Sequence, residues 1–367
     1  MKYAIFCNTP YQLFAAVCFA SGNCGPDDVC DLYVDTDNSA GNEELLSKIE
    51  AQGIFAETFR VRRRIKDMNK IKANICKVRS YLDPRWMMNK SLEGKELPPA
   101  DKYDAVMISH LGAMARWFVF SFGRAEVYMF EDGLGSYLRS QSYTMASAAD
   151  RFFEKLTGRG ADTIKIKKLF LFCPDFYEGE NKSITEAIAS PFEDKAVSEI
   201  MSELFPEDDS DTYSANRYVL LGQPGDCVDE AQRVKNDEAE QAIVDIIKET
   251  VGDDTVVRPH PRQDPAIYKA LKTDTRGVSW ELSCVKKLRD DSVLIGRYST
   301  AQFTPKLLCN KETVVIFTNL LYPDESKSRM DNIQESIERL KRIYSDKQKI
   351  YCPADTDEFK SILLEDR

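Results

Sequence analysis

Histidine is almost missing from this chain: 367 residues contain two, His110 and His260. Imidazole chemistry therefore has only two places to sit. No run of about 18 apolar residues occurs, so no transmembrane helix is expected. The apolar opening MKYAIFCNTPYQLFAAVCFASG is interrupted by Asn8, Thr9, Pro10, Tyr11 and Gln12, which fits a strand, turn and helix better than a cleavable signal peptide. The ten cysteines (Cys7, Cys18, Cys24, Cys30, Cys76, Cys173, Cys227, Cys284, Cys309 and Cys352) form no CxxC pair. Scattered through a long chain, they read as free thiols of a reducing cytoplasm, packed as small hydrophobes. Positive charge is also short. Fifty Lys and Arg against sixty Asp and Glu leave a net charge of −10, which excludes a general nucleic-acid binder. Neither a short-period repeat nor a low-complexity tract appears.

What is present is an alternation of short β-rich runs with helical patterns. In the first half, strands are expected at YAIFC (3–7), CDLYV (30–34), ETFRV (57–61), DAVMIS (104–109) and EVYMF (126–130). Helices follow at 10–20, 42–53 and 111–123, and KIKKLFLFCP (165–174) reads as a strand near the end of the half. The acidic, proline-containing stretch ELFPEDDSD (203–211) reads as a linker, dividing a domain 1–205 from a domain 206–367. Alternation then restarts, with strands at RYVLLG (217–222), TVV (255–257), SVLIG (292–296) and ETVVIFT (312–318). Helices are expected at 229–252, 265–271, 299–309 and 331–345. Such alternation implies parallel sheets covered by helices. Two α/β halves joined by a linker place a ligand cleft between them, with functional residues at the carboxyl ends of strands.

Three stretches stand at such ends. FEDGLGSY (130–137) sets Glu131 and Asp132 side by side before Gly133. Adjacent carboxylates repel, and partial burial raises the pKa of at least one, which suits a general base toward a sugar hydroxyl. Gly133 permits a sharp turn and close substrate approach; a plain solvated turn is the competing reading. RPHPR (258–262) brackets His260 with Arg258 and Arg262. Like charge there should lower the imidazole pKa, and a bound phosphate would reverse that balance. RYST (297–300) opens a helix with Ser299 and Thr300, whose hydroxyls and free N–H groups make an anion site. His110 also follows a strand, but its surroundings carry no catalytic pattern, so it reads as structural or substrate-lining.

In that order, the acid–acid–Gly triplet, the His–Pro dipeptide and the Ser–Thr pair resemble three short motifs of bacterial sialyltransferases. FCNTPYQLFAAV (6–17) and LLGQP (220–224) resemble the lipooligosaccharide sialyltransferase family, glycosyltransferase family 52. Related bacterial polysialyltransferases carry similar motifs. The resemblance runs from residue 4 to about 305. It implies a GT-B fold, two Rossmann-like domains facing a central cleft, with an acceptor-side first domain and a donor-binding second one. It further implies a CMP-sialic acid donor, inversion at the anomeric carbon, and neither metal nor cofactor. It assigns Asp132 or Glu131 to acceptor activation and His260 to the departing CMP phosphate. Ser299 and Thr300 go to that phosphate, with Arg258, Pro261, Gly222, Gln223 and Tyr298 on the donor side. Asn8, Thr9, Tyr11, Gln12 and Gly133 fall on the acceptor side, where a lipid-linked or oligosaccharide glycan ending in galactose is expected. A homodimer is compatible with the resemblance.

Competing readings attach to other residues. Asp226 and Asp229 follow the strand at 217–222 and are alternative bases, Asp229 ahead of Asp226. DTD (35–37) has the DxD form used to hold a metal-bound nucleotide, but an exposed loop explains it more simply. The stretch 60–79 carries nine Lys or Arg and one acid. A solvated helix face is the plain reading; peripheral contact with anionic lipid on the inner face of the membrane is the sharper one. Family 52 also includes glucosyltransferases, so another sugar nucleotide is an alternative donor. A non-catalytic glycan- or nucleotide-binding protein is the alternative outside enzymes.

Overall fold

The computed structural model describes residues 1–37, 43–62, 70–138, 148–205, 211–223, 230–260, 263–276, 279–322 and 327–365. The chain divides into two compact units, Met1–Pro206 and Glu207–Arg367.

The first unit is built on a sheet of order β3-β2-β1-β4-β5-β6-β7. Its strands are β1 (Lys2–Cys7), β2 (Val29–Asp35), β3 (Glu57–Val61), β4 (Ala105–Ile108), β5 (Glu126–Phe130), β6 (Ile166–Leu171) and β7 (Thr185–Ala187). Every pairing is parallel. The central strands are buried on both faces, which is why they read as continuous apolar runs rather than alternating ones. Phe6, Tyr33, Phe59, Phe118 and Phe122 fill one side, with the Tyr33 and Phe59 rings stacked 4.4 Å apart.

The second unit repeats the plan with order β10-β9-β8-β11-β12-β13. These strands are β8 (Tyr218–Leu221), β9 (Thr255–Arg258), β10 (Lys272–Thr273), β11 (Val293–Gly296), β12 (Val314–Phe317) and β13 (Ile350–Tyr351), again all parallel. Of Ile333, Ile337, Leu340 and Ile343, which stand at helical spacing in the expected helix 331–345, the first three are buried and Ile343 is half-buried on the helix Lys327–Ile343.

Several expectations are corrected. Residues 265–271 form a short 3-10 turn, Pro265–Tyr268, before edge strand β10, because Pro265 and the Asp264 cap favour a tight turn. The stretch read as a strand at 165–174 is β6, and two elements not expected from sequence, β7 and the helix Lys195–Leu204, follow it. That helix takes in the start of the expected linker, whose centre, 206–210, lies outside the described residues. Among the described residues, no helix is long and apolar enough to cross a membrane.

In each sheet the strand order reverses once, between β1 and β4 and between β8 and β11. The loops leaving those strands at their carboxyl ends are where doubly wound sheets bind ligands. At the second reversal, Gly222 follows β8, and its N–H donates to the Arg258 carbonyl at 2.9 Å. A Cβ there would collide with the Gln263 side chain, and would lie 2.8 Å from the Tyr268 hydroxyl and 3.1 Å from Pro259 Cα. The Tyr268 hydroxyl is itself held at 2.6 Å by Glu240, so it has little room to retreat. Gly222→Ala should therefore lower stability by about 1–3 kcal/mol through overpacking. Urea unfolding would check this; an unchanged midpoint would mean that Pro259 and the Gln263 side chain yield freely.

Candidate functional site

The first helix, Pro10–Gly22, starts where β1 ends. Thr9 is its N-cap, accepting from the Gln12 N–H, and Pro10 occupies the first turn, where a missing N–H costs nothing. This start places Tyr11 and Gln12 beside the end of β5. Gln12 is fully buried. Its Oε1 accepts the Asn8 backbone N–H at 2.6 Å, and its Nε2 donates to Asp132 Oδ1 at 2.8 Å. A backbone N–H can only donate, so the amide has one orientation and Asp132 receives an N–H. The Asp132 N–H donates to Ser136 Oγ at 2.7 Å. Gly133 has φ of +72°, the left-handed region that glycine adopts without strain, and it turns the chain back into the short helix at Gly135.

The two adjacent acids have different surroundings. Glu131 is buried and takes the hydroxyls of Tyr11 and Tyr137 and, at 2.8 Å, the Phe172 N–H. Burial lifts its carboxyl to about 7, while those three donors oppose the rise and the neighbouring Asp132 adds to it. Asp132 is only partly buried and holds the outer position. Asn8 is buried, and its Nδ2 lies 2.8 Å from His110 Nε2. The candidate site of the first unit thus joins Asn8, Thr9, Tyr11, Gln12, Glu131, Asp132 and Gly133, all expected, and adds His110 and Tyr137. Sequence reading gave no role to Tyr137. Its only signal was spacing, six residues after Glu131 across a glycine turn.

In the second unit, Gly222 and Gln223 follow β8, Arg297–Thr300 follow β11, and Arg258–His260 end β9. The Tyr298 N–H donates to Gln223 Oε1 at 3.1 Å, tying the two strands at the reversal. Ser299 caps the helix Thr300–Cys309, with its Oγ accepting the Ala301 N–H at 3.3 Å. Buried Gln302 accepts the Ser299 N–H at 3.0 Å and donates to the carbonyls of Gly296 and Ile316. The helix start is therefore locked to the sheet, with Thr300 exposed. Arg258 is turned toward the Tyr213 hydroxyl at 2.9 Å and Asp274 at 4.0 Å, so it braces the strand end. His260 is part-buried, and its carbonyl accepts the Gln263 N–H at 2.9 Å. Pro261, Arg262, Asp226 and Asp229 lie outside the described residues.

The DTD stretch is not an open loop of free acids. Asp35 is buried and accepts the Asp37 N–H at 3.1 Å, and Asp37 pairs with Arg62 at 3.5 Å. Among the described residues, no three metal-ligating side chains cluster. In the basic stretch, Arg60 pairs with Glu43 and Glu50, and Arg79 lies 3.9 Å over the Trp86 ring. Residues 63–69 lie outside the described residues.

A carboxyl whose pKa is raised on folding favours the folded state at low pH. Glu131's contribution is full below its unfolded value near 4.5 and is lost as pH rises through about 7. Relative to Glu131→Gln, wild type should lose about 2–3 kcal/mol between pH 5 and pH 8. Paired urea titrations measure this; a constant difference across that range would show that Glu131 is ionised throughout.

The chain matches the alpha-2,8-polysialyltransferase family over residues 4–318. No curated protein matches it. Among solved structures, it resembles the spinosyn rhamnosyltransferase SpnG complexed with thymidine diphosphate (TM-score 0.52, 10% identity, 100% of this chain and 90% of that one). It also resembles Arabidopsis thaliana UGT89C1 complexed with UDP (TM-score 0.50, 11% identity, 100% and 90%). A third likeness is to the GT-B domain of a sialyltransferase from Photobacterium damselae (TM-score 0.48, 11% identity, 96% and 100%). The fold is of GT-B type, with two Rossmann-like units. By its match over residues 4–318, the chain belongs to the alpha-2,8-polysialyltransferase family.

Proposed function

We propose that the protein is an inverting, metal-independent sialyltransferase that moves sialic acid from CMP-sialic acid to a hydroxyl of a terminal glycan sugar. The observation that carries this reading is the split acid pair: Glu131 is buried under three donors while Gln12 holds Asp132 outward at 2.8 Å. The sequence resemblance to the lipooligosaccharide sialyltransferases supports the same chemistry.

In this reading Asp132 takes the proton of the acceptor hydroxyl as its oxygen attacks the anomeric carbon. The bond from that carbon to the phosphate oxygen breaks, and CMP leaves with the electron pair. His260 hydrogen-bonds the departing phosphate oxygen or gives it a proton. Ser299, Thr300 and the N–H groups of the locked helix start hold the remaining phosphate charge. The first unit serves the acceptor and the second the donor. Galactose is the acceptor end expected from sequence; the family's alpha-2,8 description favours a second reading, a glycan already ending in sialic acid.

CMP release from CMP-sialic acid should persist in EDTA. It should fall by about 10²–10⁴-fold in Asp132→Asn and by about 10²-fold or more in His260→Ala. Running lactose beside sialyllactose separates the two acceptor readings. Full activity in Asp132→Asn would move the base to Asp229 or Asp226. Release only from UDP-sugars with a divalent metal would end the sialyltransferase reading.

The proposal includes peripheral contact with anionic membrane through residues 60–79. Cosedimentation with phosphatidylserine vesicles should be strong at low salt and lost at high salt. Salt-independent binding, or none, would remove this part.

A further inference from the structure

Two polar atoms at the first sheet's reversal point have no hydrogen-bond partner although they are buried: Asn8 Oδ1 and Ser109 Oγ. Asn8 lies just past β1 and Ser109 just past β4, and those strands are neighbours. A buried polar atom without a partner costs about 1–3 kcal/mol, so the Asn8 atom points to a ligand; Ser109, opposite Cys7 in the continued register, faces the other side of the sheet.

His110 decides what Asn8 offers. The Gly112 N–H donates to His110 Nδ1 at 2.9 Å, so that nitrogen carries a lone pair and the neutral ring holds its proton on Nε2. Gly112 permits this contact, since a Cβ there would lie 2.7 Å from His110 Cε1. Nε2–H then needs an acceptor, and the group 2.8 Å away is the Asn8 amide. Its oxygen must face His110, which turns the NH2 group to the side that otherwise has no partner. Asn8 thereby becomes a fixed donor. Its backbone N–H continues through Gln12 to Asp132.

We propose that Asn8 and His110 form a subsite for a sugar hydroxyl at the reversal point of the first sheet, in which His110 positions the Asn8 amide and so orients the acceptor for Asp132. This rests on the glycosyl-transfer reading. A sugar hydroxyl oxygen can accept the Asn8 N–H. His110 is a positioning residue here, since it acts through Asn8.

The test combines kinetics with spectroscopy. His110→Phe should raise the acceptor KM about tenfold while the donor KM stays within about twofold, the loss expected for one directed hydrogen bond. His110→Gln, whose amide N–H lies near the position of Nε2–H, should recover most of that loss, whereas Gly112→Ala should reproduce it. Equal rises in both KM values, or no change, would overturn the proposal. With only two histidines, long-range ¹H–¹⁵N spectra resolve each ring. His110 should show the Nε2–H tautomer and shift on titration with lactose or sialyllactose. The Nδ1–H tautomer, or a ring unmoved by both glycans, would overturn the subsite even in an active transferase. The expected tautomer and shift without transfer from any nucleotide sugar would keep the subsite and retire the transferase reading.

Discussion

One buried side-chain amide organises the candidate site of the first unit. Gln12 receives a backbone N–H from the end of β1 and gives its own N–H to the carboxylate at the end of β5. Strand β4 lies between those two strands. A polar group this deep is tolerable only if both its ends are satisfied, and here each partner leaves it no choice of direction. The constraint therefore passes outward. With Gln12 fixed, Asp132 presents its remaining lone pairs in one direction, and the start of the first helix cannot drift from the sheet.

The second unit solves the same problem with the same residue. Gln302 stands three positions after its N-cap Ser299, as Gln12 stands three after Thr9. Both belong to helices that follow a strand at the point of reversal. Each glutamine reaches back to an N–H near its cap and forward to a group on the sheet: Asp132 in one unit, the carbonyls of Gly296 and Ile316 in the other. The Ser/Thr-x-x-Gln pattern is a helix-start signature, and here it also anchors each helix start to its sheet. In the second unit the locked element is an N-terminus that can face phosphate; in the first it is a carboxylate.

Much of this was legible in the chain. Strand and helix order, and the siting of the motifs at carboxyl ends, followed from apolar runs alternating with amphipathic ones. The misses have physical causes. β7 and β10 are edge strands of three and two residues, too short to carry a pattern. The helix Pro84–Ser91 depends on the Asp83 cap and on packing of Met87 and Met88, not on long periodicity. Residues 265–271 looked helical by composition, but Pro265 follows the cap Asp264 and the segment stops after one tight turn. His110 was undervalued because its partners, Asn8 and Gly112, include a residue 102 positions away. Proximity of that kind is a property of the sheet and leaves no trace in local sequence.

The paired acids show why burial, more than residue type, sets a role. Glu131 and Asp132 are neighbours at a strand end, where successive side chains take opposite sides. One side is the interior, where two tyrosines and a backbone N–H surround the Glu131 carboxyl and desolvation still lifts it to about 7. The other side is partly open. Two ionised carboxylates side by side would repel each other. A glutamate that holds its proton up to about 7 relieves that repulsion below this pH. Desolvating Glu131 opposes folding near neutrality, and the same desolvation keeps the inner acid in its neutral form at lower pH beside the group proposed as the base.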